Sequence, residues 1–106
     1  MNAWGVTYTP EARLDLLRLD KSQRGLAQKA IDRVSRNPLP NTEGGYGKPL
    51  RGALSGCMKI KLLRLGIRVV YRLHRTEHGM EVVVIGVRSD NEVYDVAVER
   101  LKKMIN

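Results

Sequence analysis

Lys59 and Lys61 stand two residues apart, and Arg68, Arg72 and Arg88 follow downstream. These residue types suit one class of chemistry, the gripping of a phosphate and of the negative charge that grows on it during reaction. Clustered cations disfavour one another's charging, so a lysine among them can shed its proton near neutral pH and act as a general base. Arginine stays charged and stabilises a developing oxyanion. Other chemistries lack their parts. Cys57 is the single cysteine, and His74 and His78 are the two histidines. No zinc cluster of standard spacing and no internal disulfide can be built from them. No cofactor is expected, and a lone thiol fits a reducing cytoplasm.

The charge around these residues is one-sided. The chain has 106 residues, 19 Lys+Arg and 11 Asp+Glu, for a net charge of +8. From Gly44 to Thr76 there is no acid, while Lys48, Arg51, Lys59, Lys61, Arg64, Arg68, Arg72 and Arg75 supply eight cations. Setting those eight aside leaves 11 bases against 11 acids, so the whole excess belongs to this stretch. A field of one sign works against the folded state, and it implies a polyanionic partner such as nucleic acid or an acidic protein. No apolar run approaches the roughly 18–20 residues of a membrane span. The first residues, Met1-Asn2-Ala3-Trp4, do not read as an export signal.

The elements that must carry these residues follow from local pattern. Ala3 to Tyr8 suggests a short strand, and Thr9-Pro10-Glu11 a helix start with a hydroxyl cap and proline at the first position. Ala12, Leu14, Leu16, Leu17 and Leu19 then mark an amphipathic helix. Ser22 can cap a second helix bearing Leu26, Ala27, Ala30, Ile31 and Val34, which Asn37-Pro38-Leu39-Pro40 ends. Gly44 to Pro49 reads as a flexible loop. Met58 to Leu62, Ile67 to Leu73 and Glu81 to Val87 read as strands, and Val93 to Met104 as a helix. The expectation is one α+β domain over residues 1–106 in the order β-α-α-β-β-β-α. Its small sheet should be four-stranded and mainly antiparallel.

Alternation puts Lys59 and Lys61 on one face, away from Met58, Ile60 and Leu62. A tight turn at Leu65-Gly66 pairs residues whose numbers sum to about 131. Lys59 then faces Arg72, Lys61 faces Val70, and Arg68 lies diagonally from Lys61. Arg88 continues the phase of Val82, Val84 and Gly86. On this reading Lys59, Lys61, Arg68 and Arg88 converge on a phosphate.

Three stretches carry a family likeness: Tyr46-Gly47-Lys48-Pro49-Leu50-Arg51-Gly52, Met58-Lys59-Ile60-Lys61-Leu62, and Gly66-Ile67-Arg68-Val69-Val70-Tyr71-Arg72-Leu73. With Val84-Ile85-Gly86-Val87-Arg88 and Asn91-Glu92-Val93-Tyr94, they resemble the RelE branch of the RelE/ParE superfamily of toxin–antitoxin toxins. The resemblance spans nearly the whole chain. It implies a metal-independent endoribonuclease of a type II toxin–antitoxin system that cuts messenger RNA in the ribosomal A site and halts translation. Lys59 and Lys61 match paired lysines that deprotonate the ribose 2′-hydroxyl and bind phosphate. Arg68 matches the arginine that stabilises the transition state, and Arg88 the one near the leaving 5′-oxygen. Tyr94 matches a tyrosine that stacks on and orients the nucleotide. Arg51 matches an arginine near the RNA backbone, where Lys48 and Arg72 are expected to add contacts.

The implied partners are a cognate antitoxin, acidic at its toxin-binding end, and messenger RNA on the 70S ribosome with its 16S rRNA. The implied compartment is the cytoplasm. One stretch departs from the family pattern. Many relatives carry a further basic residue or histidine beside the arginine, whereas here Val87 precedes Arg88, and Asp90 and Glu92 sit nearby. Two alternatives share the scaffold: a ParE-like gyrase inhibitor, whose branch generally lacks the Lys-x-Lys and arginine set, and a relative that only binds RNA or antitoxin.

Overall fold

Strand β1 (Gly5–Tyr8) passes into helix α1 (Pro10–Arg18) through Thr9, whose hydroxyl accepts the Ala12 N–H at 3.1 Å. The computed structural model that shows this describes residues 3–87 and 89–105. Helix α2 (Lys21–Ser35) starts at Asp20 rather than at the expected Ser22. The Asp20 carboxylate accepts from Gln23 N–H at 2.8 Å, and the Gln23 side chain accepts from Asp20 N–H at 3.2 Å. That reciprocal box satisfies two donors that the first helical turn otherwise leaves open.

The sheet has five strands in the order β1, β5 (Gly79–Gly86), β4 (Ile67–His74), β3 (Cys57–Leu62) and β2 (Lys48–Pro49), with β1 parallel to its neighbour and the other pairs antiparallel. The fifth strand, β2 (Lys48–Pro49), falls in the stretch read as a flexible loop. Two residues are too few to show alternation, so only the close packing beside them reveals it. A Cβ on Gly47 would lie 2.5 Å from the Tyr71 hydroxyl, which donates to Pro38 O at 2.8 Å. Gly47 thus serves close approach rather than looseness.

Strands β3 (Cys57–Leu62) and β4 (Ile67–His74) form the central hairpin, but in a register two residues from the expected one. Leu63–Leu65 make a 3₁₀ turn closed by Gly66 at φ 65°, so Leu62 pairs with Ile67 and Lys61 with Arg68. A shift of two keeps every side chain on its expected face and changes only its partner. Met58, Ile60, Ile67, Val69 and Tyr71 therefore still build the core under α1 and α2 with Ala12, Ala27 and Ile31.

Strand β5 (Gly79–Gly86) carries a bulge: Tyr71 pairs with Val82 but Val70 with Val84, leaving Val83 as the extra residue. Val82 joins the core under α1 and α2, while Val83 and Val84 join a second core on the opposite face. The expected common phase of Val82, Val84 and Gly86 is broken there, because a bulge reverses the alternation. Helix α3 (Asp90–Ile105) seals that second core with Val93 and Ala97 against Val70, Val83, Val84 and Cys57. It begins ahead of the expected Val93, with Ser89 and Glu92 bonded through their side chains at 3.2 Å. A Cβ on Gly86 would come within 2.9 Å of Val93, so a glycine lets this end of the helix press onto the sheet.

Candidate active site

Helix α3 covers only part of its sheet face. Beside it the strands present Lys48 across from Lys59, and Lys61 across from Arg68. Lys59 and Lys61 are successive residues on the same face of β3, so the four cations occupy neighbouring positions of one pleated surface. Pairing across strands at positions directly opposite brings Lys61 and Arg68 nearer than the diagonal expected from sequence. The N-terminus of α3 adds its own partial positive charge at the edge of this group.

One carboxylate enters the cluster. Asp90, the first residue of α3, accepts from Lys61 Nζ at 2.7 Å through Oδ2 and from Arg68 Nε through Oδ1. Hydrogen bonds from Lys61 and then Arg68 hold its carboxyl below the usual carboxylate range, against a smaller opposing effect of desolvation. Arg68 Nη1 also donates to Gly66 O at 2.9 Å, which ties the guanidinium to the hairpin turn. Lys61 and Arg68 expose 24% and 22% of their side chains and Asp90 exposes 35%, so all three meet solvent.

Tyr94 lies one helical turn beyond Asp90. Its ring packs against the second core, and its hydroxyl is buried without a hydrogen-bond partner among the described residues. Burial, followed by the Asp90 charge, raises its phenol above the ordinary tyrosine value, with Lys61 and Arg68 opposing. Lys61, Arg68, Asp90 and Tyr94 thus act on one another electrostatically.

Other expected residues stand differently. Arg72 does not face Lys59. It pairs with Cys57 on one side and Glu81 on the other, and its Nε donates to the Glu81 carboxylate at 2.6 Å. His74 reaches the same carboxylate at 3.0 Å. Arg75 is held by Glu43 through two bonds of 3.0 and 2.7 Å. These acids lie outside the acid-free stretch and neutralise two of its cations. Lys48, Arg51, Lys59 and Arg64 have no ion pair among the described residues. Arg51 is exposed at the entry of the 3₁₀ turn Gly52–Leu54, which packs against α3. Arg88 lies outside the described residues. His78 occupies the β4–β5 turn at φ 54° and stacks on Trp4 at 4.2 Å.

Sequence reasoning noticed Asp90 only as a nearby acid and gave it no site role. The available signal was a carboxylate just ahead of an amphipathic helix whose start must approach a basic sheet face. Phosphate chemistry is what this group of residues can support: Lys61 and Arg68 donate to one partly open carboxylate, with Lys59 and Lys48 at neighbouring positions of the same surface.

Comparison with known proteins shows which family the whole chain is similar to. The chain is 31% identical over 98 residues to an Escherichia coli protein described as RelE-like toxin, covering 92% of this chain and 96% of that one. It resembles a free-state structure of an arginine-to-alanine double mutant of the E. coli toxin RelE, with TM-score 0.77 and 27% identity over 94% of this chain and 99% of that one. It also resembles the toxin–antitoxin complex RelBE2 of Mycobacterium tuberculosis, with TM-score 0.69 and 27% identity over 85% of this chain and 97% of that one. No protein-family model matches the sequence.

Proposed function

The chain belongs to the RelE-like toxin family of toxin–antitoxin systems, and from that premise we propose that it is an endoribonuclease that cuts messenger RNA in the ribosomal A site. The observation that carries this reading is the pairing of Lys61 with Arg68 beside Lys59 on one half-open sheet face. Cleavage through the RNA's own 2′-hydroxyl needs a base, neutralisation of the phosphorane and help for the leaving oxygen. The protein has to supply those and in-line positioning, while the nucleophile comes with the substrate.

In this mechanism Lys59 and Lys61 bind the scissile phosphate and take the proton of the 2′-hydroxyl. Arg68 carries the charge of the pentacovalent transition state, and Arg88 assists the departing 5′-oxygen. Tyr94 orients the nucleotide from the rim of the site. Lys48 and Arg51, both exposed, follow the RNA backbone. Arg72 contributes through Glu81 and His74 to the shape of the neighbouring surface instead of holding phosphate itself.

The partners follow from the same reading. An acidic antitoxin shields the basic face and covers the apolar residues that α1 and α2 leave outside the core. Leu14, Leu17 and Leu26 are 52%, 58% and 44% exposed although their types suit an interior. Messenger RNA is met on the 70S ribosome, beside 16S rRNA, in the cytoplasm. Among the described residues no helix is long and apolar enough to cross a membrane.

Mapping of messenger RNA ends in cells expressing wild type, Lys61→Ala and Arg88→Ala tests the reading. Cuts should fall in phase with the reading frame, protein synthesis should stop, and both variants should relieve the arrest. Growth arrest with a DNA-damage response and unaltered translation would instead assign the chain to gyrase inhibition.

A further inference from the structure

Resting on the nuclease reading above, we propose that Asp90 is the internal counter-ion of the basic site, holding Lys61 and Arg68 in place of a phosphate until bound RNA displaces it. The carboxylate spans the two cations with one oxygen on each, Oδ2 to Lys61 Nζ at 2.7 Å and Oδ1 to Arg68 Nε. The two non-bridging oxygens of a phosphodiester present the same kind of paired acceptor. A bound phosphate and this carboxylate compete for the same donors.

The surroundings favour exchange over a permanent bond. Asp90 accepts from side chains alone among the described residues, so its departure breaks no backbone ladder. It belongs to the first turn of α3 and not to the sheet, and about a third of its side chain meets solvent. Arg68 keeps its bond to Gly66 O when the carboxylate leaves, so the guanidinium stays aimed at the site. Lys61 Nζ is engaged as a donor to Asp90, a state that does not suit a base receiving a proton from a 2′-hydroxyl. Displacement of Asp90 by RNA removes that carboxylate and passes the donors of Lys61 and Arg68 to the phosphate.

The neighbouring cations set the contrast. Lys59 has no carboxylate partner among the described residues, so the resting site is neutralised on one side only. It can attract RNA through Lys59 and Lys48, and it closes on Lys61 and Arg68 only when a phosphate arrives in register. Asp90 then weakens binding to RNA that does not reach the inner pair, which makes it a determinant of affinity and selectivity.

The test uses a single-stranded RNA oligonucleotide carrying 2′-O-methyl groups throughout, which cannot be cut, and fluorescence anisotropy across a series of KCl concentrations. Asp90→Asn should bind about tenfold more tightly at low salt. Its log–log salt slope should steepen by about 0.7, the release expected for one more phosphate contact on a single strand. Asp90→Ser, which keeps a good residue at the helix start, should behave alike. Thermal unfolding of both variants verifies that they fold. Equal or weaker binding by the folded variants, with Lys59→Ala still weakening the wild type, would overturn the counter-ion role alone. If wild type and variants all fail to bind the oligonucleotide, or Lys59→Ala changes nothing, this face does not hold phosphate by itself and the counter-ion proposal falls, while the mapping of messenger RNA ends decides the nuclease reading separately.

Discussion

Asp15 and Asp90 each sit against an arginine, yet their surroundings give them opposite properties. Asp15 accepts from Arg100 Nη1 at 2.6 Å, from Arg100 Nη2 at 3.1 Å and from the Ile85 N–H at 3.0 Å. Arg100 Nη1 also donates to Val83 O at 3.0 Å. Strand β1 ends opposite Val82, so these side chains cap backbone groups of β5 that lie beyond its reach and tie α1 and α3 to that edge. Only 9% of the Asp15 side chain and 18% of that of Arg100 are exposed. Asp90 is open to water and is bonded only to side chains among the described residues. The same pairing of charges is a sealed fastener in one place and an exchangeable contact in the other. Access to solvent and backbone participation make the difference.

Breaking the sealed pair should have the largest effect on stability. Asp15→Ala leaves the Arg100 charge buried without its partner and the Ile85 N–H open, a loss of about 3–5 kcal/mol. Urea unfolding measures it, and a shift as small as that of a surface pair would erase the contrast with Asp90. Tyr71→Phe removes the bond to Pro38 O under β2, and the buried carbonyl left behind should lower stability by about 1 kcal/mol. The same urea series reads that change.

An intermediate case lies at Glu81, half-sheltered between Arg72 and His74. Burial alone would raise its carboxyl, but hydrogen bonds from His74 and Arg72, helped by their charges, carry it below the ordinary 4.5. A carboxyl lowered in the folded state adds stability above its unfolded value and loses it as pH falls through the folded one. The stability of wild type over Glu81→Gln should therefore be greatest above about pH 4.5 and shrink in stronger acid. A constant difference over that range would contradict the assignment. The smallest effect belongs to the open pair: Asp90→Asn should unfold close to the wild-type midpoint while its RNA affinity changes.

The basic face beside Asp90 could be read in the sequence, because it rests on alternation, but the contrast between the two aspartates could not. The acid-free stretch and the Lys-x-Lys spacing placed Lys59, Lys61 and Arg68 on one face, and a register two residues off left that face intact. The partner of each cation was not legible, since it depends on a four-residue turn whose 3₁₀ geometry leaves little trace in residue type. Strand β2 was too short to show a period, and the bulge at Val83 lay hidden in a uniformly apolar run. Asp15 looked like any polar position of an amphipathic helix, because its partners come from β5 and α3, distant along the chain. Asp20 and Gln23 cap the helix for which Ser22 was the expected cap, although the Asp-x-x-Gln spacing is present in the sequence.

The most direct measurement of the central claim is single-turnover cleavage of ribosome-bound messenger RNA by wild type and Lys61→Ala. Gathered cations that act as base and charge stabiliser predict A-site cutting by the wild type and a fall of about 10²-fold or more in the variant. An unchanged rate in Lys61→Ala would contradict the account.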